Sequence, residues 1–286
     1  MSAETKPSER TVLRMSGTTA RDLRGALARL DDVDVKVVTE GGSSVTGLQN
    51  LQQGRIDVAM AMADVTYLAY AGQLESTSPP FDQLRGLAVV TLNTVHLLAA
   101  KGVNVTSIGD LKGLRVALGP AGSATALLAA RTLEAYGIHL TDVQSHQLSY
   151  VETADKLAKG EMDAAFMTQI PPSQPIVTAT DAGATLVDID GPVIELLRTR
   201  YQYLKRTMIP RATYPNQREP VRTIGVDLLL TCRAAVDEDV VYRLLEEYFA
   251  MRPGTLLPAD VERAPATPIP LHAGAARYYR QRELTR

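Results

Sequence analysis

The chain has 286 residues, a formal net charge of −2, 45% hydrophobic and 22% charged residues, as in a soluble globular protein of one large domain or two small ones. No basic block invites nucleic acid or an anionic membrane, and no apolar run reaches the length of a membrane span. A single cysteine, Cys232, excludes an internal disulfide and a cysteine metal cluster, and with no tryptophan and three phenylalanines the core must be built from Leu, Val, Ala and Ile.

Residues 1–10 are polar and disordered in character, with no apolar core of the kind a signal peptide carries. The expectation is therefore a cytosolic protein, or one whose targeting segment has been trimmed. Thr11–Ser16 reads as a short apolar strand. A helix follows to Leu30, with Leu23, Ala26, Leu27 and Leu30 forming its inner stripe. Val33–Thr39 is a valine-rich strand closed by Gly41 and Gly42. Ser43 or Ser44 caps the next helix, whose inner face is Val45, Leu48 and Leu51, and Gly54 sits where a left-handed cap belongs. Ile56–Ala61 is a third strand, so the order is that of a parallel sheet with crossovers. Asp64 then opens a helix to Tyr70, and Ser76–Pro80 is a loop.

Leu84–Ala100 is one extended apolar run, longer than the usual strand of about 5–6 residues. It reads as a strand that leaves one lobe near Thr91 and enters another near Val95. The second lobe repeats the plan: strand Leu114–Leu118, loop Gly119–Thr125, helix Ala124–Tyr136 stopped by Gly137, helix Ser149–Lys159, strand Met162–Met167, a proline loop from Gln169 to Pro175, and strand Ala184–Ile189. A helix from Pro192 to about Arg206, a proline and tyrosine loop to Pro220, a return strand Arg222–Thr231, an amphipathic helix Asp237–Met251, an irregular stretch Leu257–Pro270 and a last helix Ala273–Glu283 complete the chain.

The two lobes are written in one pattern. Leu51, Gly54, Asp57 and Ala59 recur as Leu157, Gly160, Asp163 and Ala165, all 106 positions later. Two lobes imply a cleft, where small ligands are expected to bind. Four loops at strand ends point the same way: Ser16-Gly17-Thr18, Gly42-Ser43-Ser44, Gly122-Ser123-Ala124-Thr125, and the loop of Gln169. Three of them open helices, whose free N–H groups and partial positive charge receive a carboxylate or phosphate. For any one serine, plain helix capping is the competing reading. Asp64 is either a helix cap or a pocket acid for an amino group. Asn93 and His96 lie at the crossing, and His96 in its apolar run reads as a satisfied core histidine. Tyr67, Tyr70 and Tyr201 could line a pocket, although helix-spaced tyrosines usually serve packing.

Enzyme signatures are missing. Ala121–Thr125 lacks both glycines of a nucleophile elbow, and no P-loop or dinucleotide fingerprint occurs. His139 and His146 have no ligand-rich setting, so no metal and no cofactor is expected. An enzyme would have only His96 or Asp64 as a general base.

Gly42-Ser-Ser with Gly47-Leu48, Leu51, Gly54, Asp57 and Ala59, followed by Asp64 and Tyr67, resembles the TAXI family of TRAP-transporter solute-binding proteins. So do Ile108–Val116, Gly119 with Gly122-Ser123, Thr223–Asp227 and Leu271–Arg280, in family order over about residues 11–284. The resemblance implies an α/β, two-lobed type II periplasmic binding protein fold. Each lobe would be a mainly parallel sheet flanked by helices, and two hinge crossings would join them. The expected division is a disordered 1–10, lobe one from 11–93 and 222–286, and lobe two from 94–221. It also implies an extracytoplasmic receptor that closes on a small organic anion or amino acid and delivers it to a TRAP permease. The expected ligand residues are Ser16, Gly17, Thr18, Arg21, Gly42, Ser43, Ser44, Asp64, Tyr67, Asn93, Ser123, Ala124, Thr125 and Gln169. The family's longer glycine-rich first loop is replaced here by Ser16–Asp22, which makes Arg21 a substitute carboxylate partner. Such a protein is periplasmic, its export signal not present in this chain. If the N-terminus is the native one, the alternative is a cytoplasmic ligand-sensing or regulatory module on the same fold.

Overall fold

In the computed structural model, which describes residues 10–39, 43–74, 79–251 and 263–284, the chain divides into two units, Met1–Thr91 with Leu228–Arg286 and Leu92–Asp227. Both boundaries fall inside long strands, Leu84–Ala99 and Val221–Arg233.

In the first unit, β1 (Thr11–Ser16) pairs in parallel with β2 (Val33–Thr39), placing Leu13 opposite Val35 and Met15 opposite Val37. Leu13 and Met15 are buried, but Val35, Val37 and Val38 of β2 stay largely exposed. The helix expected to Leu30 is instead two short ones, α1 (Gly17–Asp22) and α2 (Arg24–Leu27), broken at Leu23. Its stripe is still buried at Leu23, Ala26, Leu27 and Leu30. The break lies beside Gly25, where a Cβ would stand 2.2 Å from the Met251 sulfur. A glycine there permits close packing at the expense of helix continuity.

α3 (Ser44–Gln52) buries Leu48 and Leu51, and Gly54 follows it at φ +67°, the left-handed conformation its position requires. β3 (Val58–Met62) runs directly into α4 (Ala63–Tyr70). Met62 holds the cap position of α4, so Asp64 is not the cap; it lies in the first turn. The expected single parallel sheet is also corrected. β1 and β2 form a sheet of their own, and β3 pairs antiparallel with residues 228–232, Ala61 opposite Leu229. β1 meets β3 through Asp57, whose N–H donates to the Arg14 carbonyl at 2.7 Å.

β4 (Leu84–Ala99) carries the chain into the second unit. There β5 (Arg115–Ala117) is followed by α5 (Ala124–Ala135), β6 (Gln144–His146), α6 (Tyr150–Ala158), β7 (Ala164–Gln169) and α7 (Gln174–Asp181). β8 (Thr185–Val187), α8 (Pro192–Arg200), β9 (Leu204–Ile209) and β10 (Val221–Arg233) complete it. β5 lies parallel between β6 and β7, while the end of β4 runs antiparallel to both β7 and β8. The helix expected to reach Arg206 stops at Arg200. Beyond it β9 pairs antiparallel with β10, Lys205 opposite Gly225. β6 and α7 were not anticipated. β6 is a polar Gln-Ser-His with no apolar alternation, and α7 emerges from a run of prolines that reads as loop. A proline is tolerated in the first helical turn, where its missing N–H is not needed.

The core of this unit joins Leu98, Ala117, Leu157, Met167, Ile176 and Ile209. β10 returns to the first unit, where α9 (Glu238–Ala250) and α10 (Ala273–Leu284) pack Leu244, Leu245, Phe249, Tyr278 and Tyr279 against Leu13, Met15 and Leu87. Asp237 caps α9 by accepting from the N–H groups of Asp239 and Val240 at 2.9 and 3.1 Å. Cys232 is fully buried, and burial pushes its thiol pKa well up, so it behaves as a small apolar side chain. The loop 76–78 and the stretch 257–262 lie outside the described residues.

Candidate functional site

In the first unit the sequence motifs fall at the C-terminal ends of the strands. Ser16 caps α1, its hydroxyl accepting the Thr19 N–H at 3.2 Å; Thr18 and Arg21 are exposed beside it. Ser43 caps α3, accepting the Thr46 N–H at 3.2 Å. Ser44, the first helical residue, accepts the N–H of Met62 at 3.1 Å. That bond holds the N-terminus of α3 beside that of α4, because Met62 is the α4 cap residue. Asp64 is 2% exposed in the first turn of α4, where the helix dipole favours a carboxylate, and Tyr67 one turn on is 39% exposed. Gly42 lies outside the described residues.

The second unit builds the same device with different side chains. Ser149 caps α6, accepting the Glu152 N–H at 3.2 Å, the same distance as in the Ser43 cap. The next residue, Tyr150, takes the place of Ser44, and its hydroxyl lies 3.4 Å from the N–H of Thr168. Ser43, Ser44 and Met62 correspond to Ser149, Tyr150 and Thr168 at the same spacing of 106 that relates Asp57 to Asp163. The repeat therefore extends from the foot of the strand to the loops at its far end.

Tyr150 is a hub. Its hydroxyl is 2.6 Å from Thr125 Oγ1, and Thr125 is in the first turn of α5. Burial raises the Tyr150 pKa, opposed by hydrogen bonds with Thr125, Thr168 and Gln169. Thr168 is buried, and its own hydroxyl has no hydrogen-bond partner among the described residues. Ser123 caps α5 by accepting the Ala126 N–H at 3.1 Å, and Ala124 is buried behind it. Gln169 accepts from the Ser173 hydroxyl at 3.1 Å. The structure thus brings Thr125 and Gln169 around Tyr150, with Ser123 opening α5 beside Thr125. Sequence reading missed Ser149 and Tyr150, although the 106-residue spacing carried from Ser43 and Ser44 points straight at them.

Asn93 is half-buried in β4, its carbonyl facing Gly225. His96 is a core residue: 1% exposed, its Nδ1 3.0 Å from the Thr94 carbonyl and its Nε2 2.9 Å from the Tyr214 hydroxyl. Burial lowers its pKa to about 4, so it is neutral at physiological pH. Among the described residues no group of three or more His, Cys, Asp or Glu side chains could hold a metal ion, and no helix is long and apolar enough to cross a membrane.

The profile of the NMT1-like family matches residues 20–282. The chain belongs to that family. Among solved structures, an ancestral arginine-binding protein bound to arginine covers 85% of this NMT1-like chain and is itself covered to 93%, at 15% identity and a TM-score of 0.53. That likeness identifies a mixed α/β, two-lobed periplasmic binding protein-like fold. The periplasmic aliphatic sulphonate binding protein SsuA of Escherichia coli matches 98% of this chain and 90% of its own, at 15% identity and a TM-score of 0.49. The alkanesulfonate-binding protein SsuA of Xanthomonas axonopodis pv. citri, bound to MOPS, matches 64% of this chain at 21% identity and a TM-score of 0.42, and this chain spans 61% of its length. These neighbours are binding proteins rather than enzymes.

Proposed function

We propose that this NMT1-like protein is an extracytoplasmic solute receptor that takes up a small organic anion or amino acid and hands it to a TRAP-type membrane permease. The observation that carries the reading is the repeated helix opening. Each unit ends parallel strands in serine-capped helix N-termini, at Ser43 in one and at Ser123 and Ser149 in the other. Helix N-termini offer unsatisfied N–H groups and a positive dipole end to a carboxylate. Ser123 accepts through its oxygen, so its hydroxyl proton remains to be donated to a ligand oxygen. Asp64 is the residue to meet an amino group. The ancestral arginine-binding protein of the same fold binds an amino acid, a ligand class these donors can hold. The TAXI-like run from Gly42 to Tyr67 supports the TRAP partner.

Thermal unfolding against a panel of amino acids, monocarboxylates and dicarboxylates tests the reading. A ligand that binds only the folded state raises Tm with its concentration. If no member of the panel shifts Tm, the reading fails.

A further inference from the structure

On the first unit, α1 and α2 stand over the face of β2 that carries Val35 and Val37, the same face on which Leu13 and Met15 of β1 are buried, and border an open groove of about 620 Å3, within the size range of small-molecule sites. Two kinds of surface meet there. The floor is Val35 and Val37, alternate residues that point to one face of β2 and remain 38% and 46% exposed. Leu27 and Ala20 extend this apolar lining. Above it stand Arg21 and Arg24, three residues apart and both exposed. Among the described residues neither guanidinium forms a salt bridge or a hydrogen bond, whereas Arg14 and Arg115 are each engaged by an aspartate. Arg21 lies near the carboxyl of Asp22, which burial pushes up in pKa and Arg21 pulls down.

Exposed valines beside two unengaged guanidiniums ask for a partner that is apolar along its length and negative at its end. Arginine forks suit a carboxylate in particular. We infer that this groove binds a short amphiphilic anion, its aliphatic chain lying on Val35 and Val37 and its carboxylate taken by Arg21 and Arg24. The groove shares Gly17 and Arg21 with the first helix opening, but Arg24, Val35 and Val37 belong to none of the helix openings, so variants at those positions test the groove separately from the proposed receptor site.

Titration calorimetry with octanoate below its micellar concentration, with acetate and 1-octanol as controls, tests it on the full chain. The expected result is saturable octanoate binding at least about tenfold tighter than either control, weakened about tenfold or more by Arg24→Glu and by Val37→Asp. Both side chains are exposed, so both variants should fold, and their far-UV circular dichroism and Tm are checked alongside. Octanoate binding that is absent, matched by 1-octanol, or unchanged in the folded variants overturns the inference. So does binding only to phosphatidylglycerol vesicles, or a self-association abolished by Val37→Asp without octanoate binding. Arg24→Glu should leave the Tm response to receptor solutes unchanged, so failure here and failure of the receptor reading are separate results.

Discussion

Arg115 grips Asp163 through Nε at 3.0 Å and an amino nitrogen at 2.6 Å, and its backbone N–H adds a third bond at 2.8 Å. Arg14 grips Asp57 in the same way, at 2.9 and 2.8 Å from the side chain and 2.9 Å from the backbone. Each aspartate N–H also returns a bond to its arginine's carbonyl. The repeated aspartate is therefore a clamp between neighbouring strands and not a ligand group. In the first unit Arg233 adds a second guanidinium to Asp57 at 2.8 Å.

Removing the clamp should destabilise the fold unequally. The Asp57 side chain is 6% exposed and holds two arginines, while that of Asp163 is 17% exposed and holds one. Breaking a buried pair by deleting one partner costs about 3–5 kcal/mol. Asp57→Ala should lie near 3 kcal/mol or above, and Asp163→Ala about 1–2 kcal/mol, on the same principle weakened by exposure. Urea unfolding measures both; equal and negligible shifts in midpoint would contradict the clamp.

Acid should weaken the protein in two stages. His96 has its pKa lowered by burial to about 4 against 6.5 as the ordinary value. Between those values the unfolded chain holds the extra proton, so stability falls as pH drops through this window, by on the order of 3 kcal/mol. The second stage belongs to Asp57 and Asp163. Burial would raise the Asp57 pKa, but hydrogen bonds from Arg14 and Arg233 hold it below the usual carboxylate range; the Arg115 hydrogen bond does the same for Asp163. Their contribution is present above the unfolded carboxylate pKa and is lost as pH falls through the lowered folded values. Equilibrium unfolding from pH 7 to 4 should show the first slope, and His96→Gln should flatten it.

Tyr150→Phe removes the hydroxyl shared with Thr125 and leaves the ring in place. The expected stability loss is about 1 kcal/mol. If the Tyr150 cluster takes part in binding, solute affinity should fall about tenfold or more. A variant with unchanged affinity would make Tyr150 a purely structural link between α5, α6 and β7.

Gly274 sits at the start of α10, where a Cβ would lie 2.2 Å from the Glu238 carbonyl oxygen and 3.0 Å from Val241 Cβ. Gly274→Ala should force α9 and α10 apart and cost about 1–3 kcal/mol. Thermal unfolding with Gly102→Ala as the comparison separates this crowding from backbone strain, because Gly102 has φ +81° and open space around it.

The parts of the fold visible in the sequence were those written in periodicity or in a repeat. The stripe Leu23, Ala26, Leu27, Leu30 is buried, and the serine caps Ser43 and Ser123 stand where the pattern puts them. What was lost had a weaker local signal than its context. β9 is apolar only at Leu204, Met208 and Ile209, which do not alternate, and it owes its extended form to pairing with β10, a contact more than ten residues away in sequence. β3 was expected in one parallel sheet with the two strands before it, but its ladder is antiparallel with β10, which no local pattern announces. Among the candidate site residues, the serine caps were visible individually. The link from Ser44 to Met62, and its counterpart from Tyr150 to Thr168, needed coordinates, because a tyrosine standing in for a serine hides the correspondence.

The receptor reading stands or falls most directly on calorimetry of the wild type and of the Ser43→Ala/Ser123→Ala double variant against amino acids and dicarboxylates. Each lost cap costs about 1 kcal/mol of stability, so the variant must first be shown to be folded. The account predicts at least one solute bound at micromolar levels by the wild type, and about tenfold or more weaker by the variant. No micromolar binding to any small anion or amino acid, or equal binding by both proteins, would contradict it.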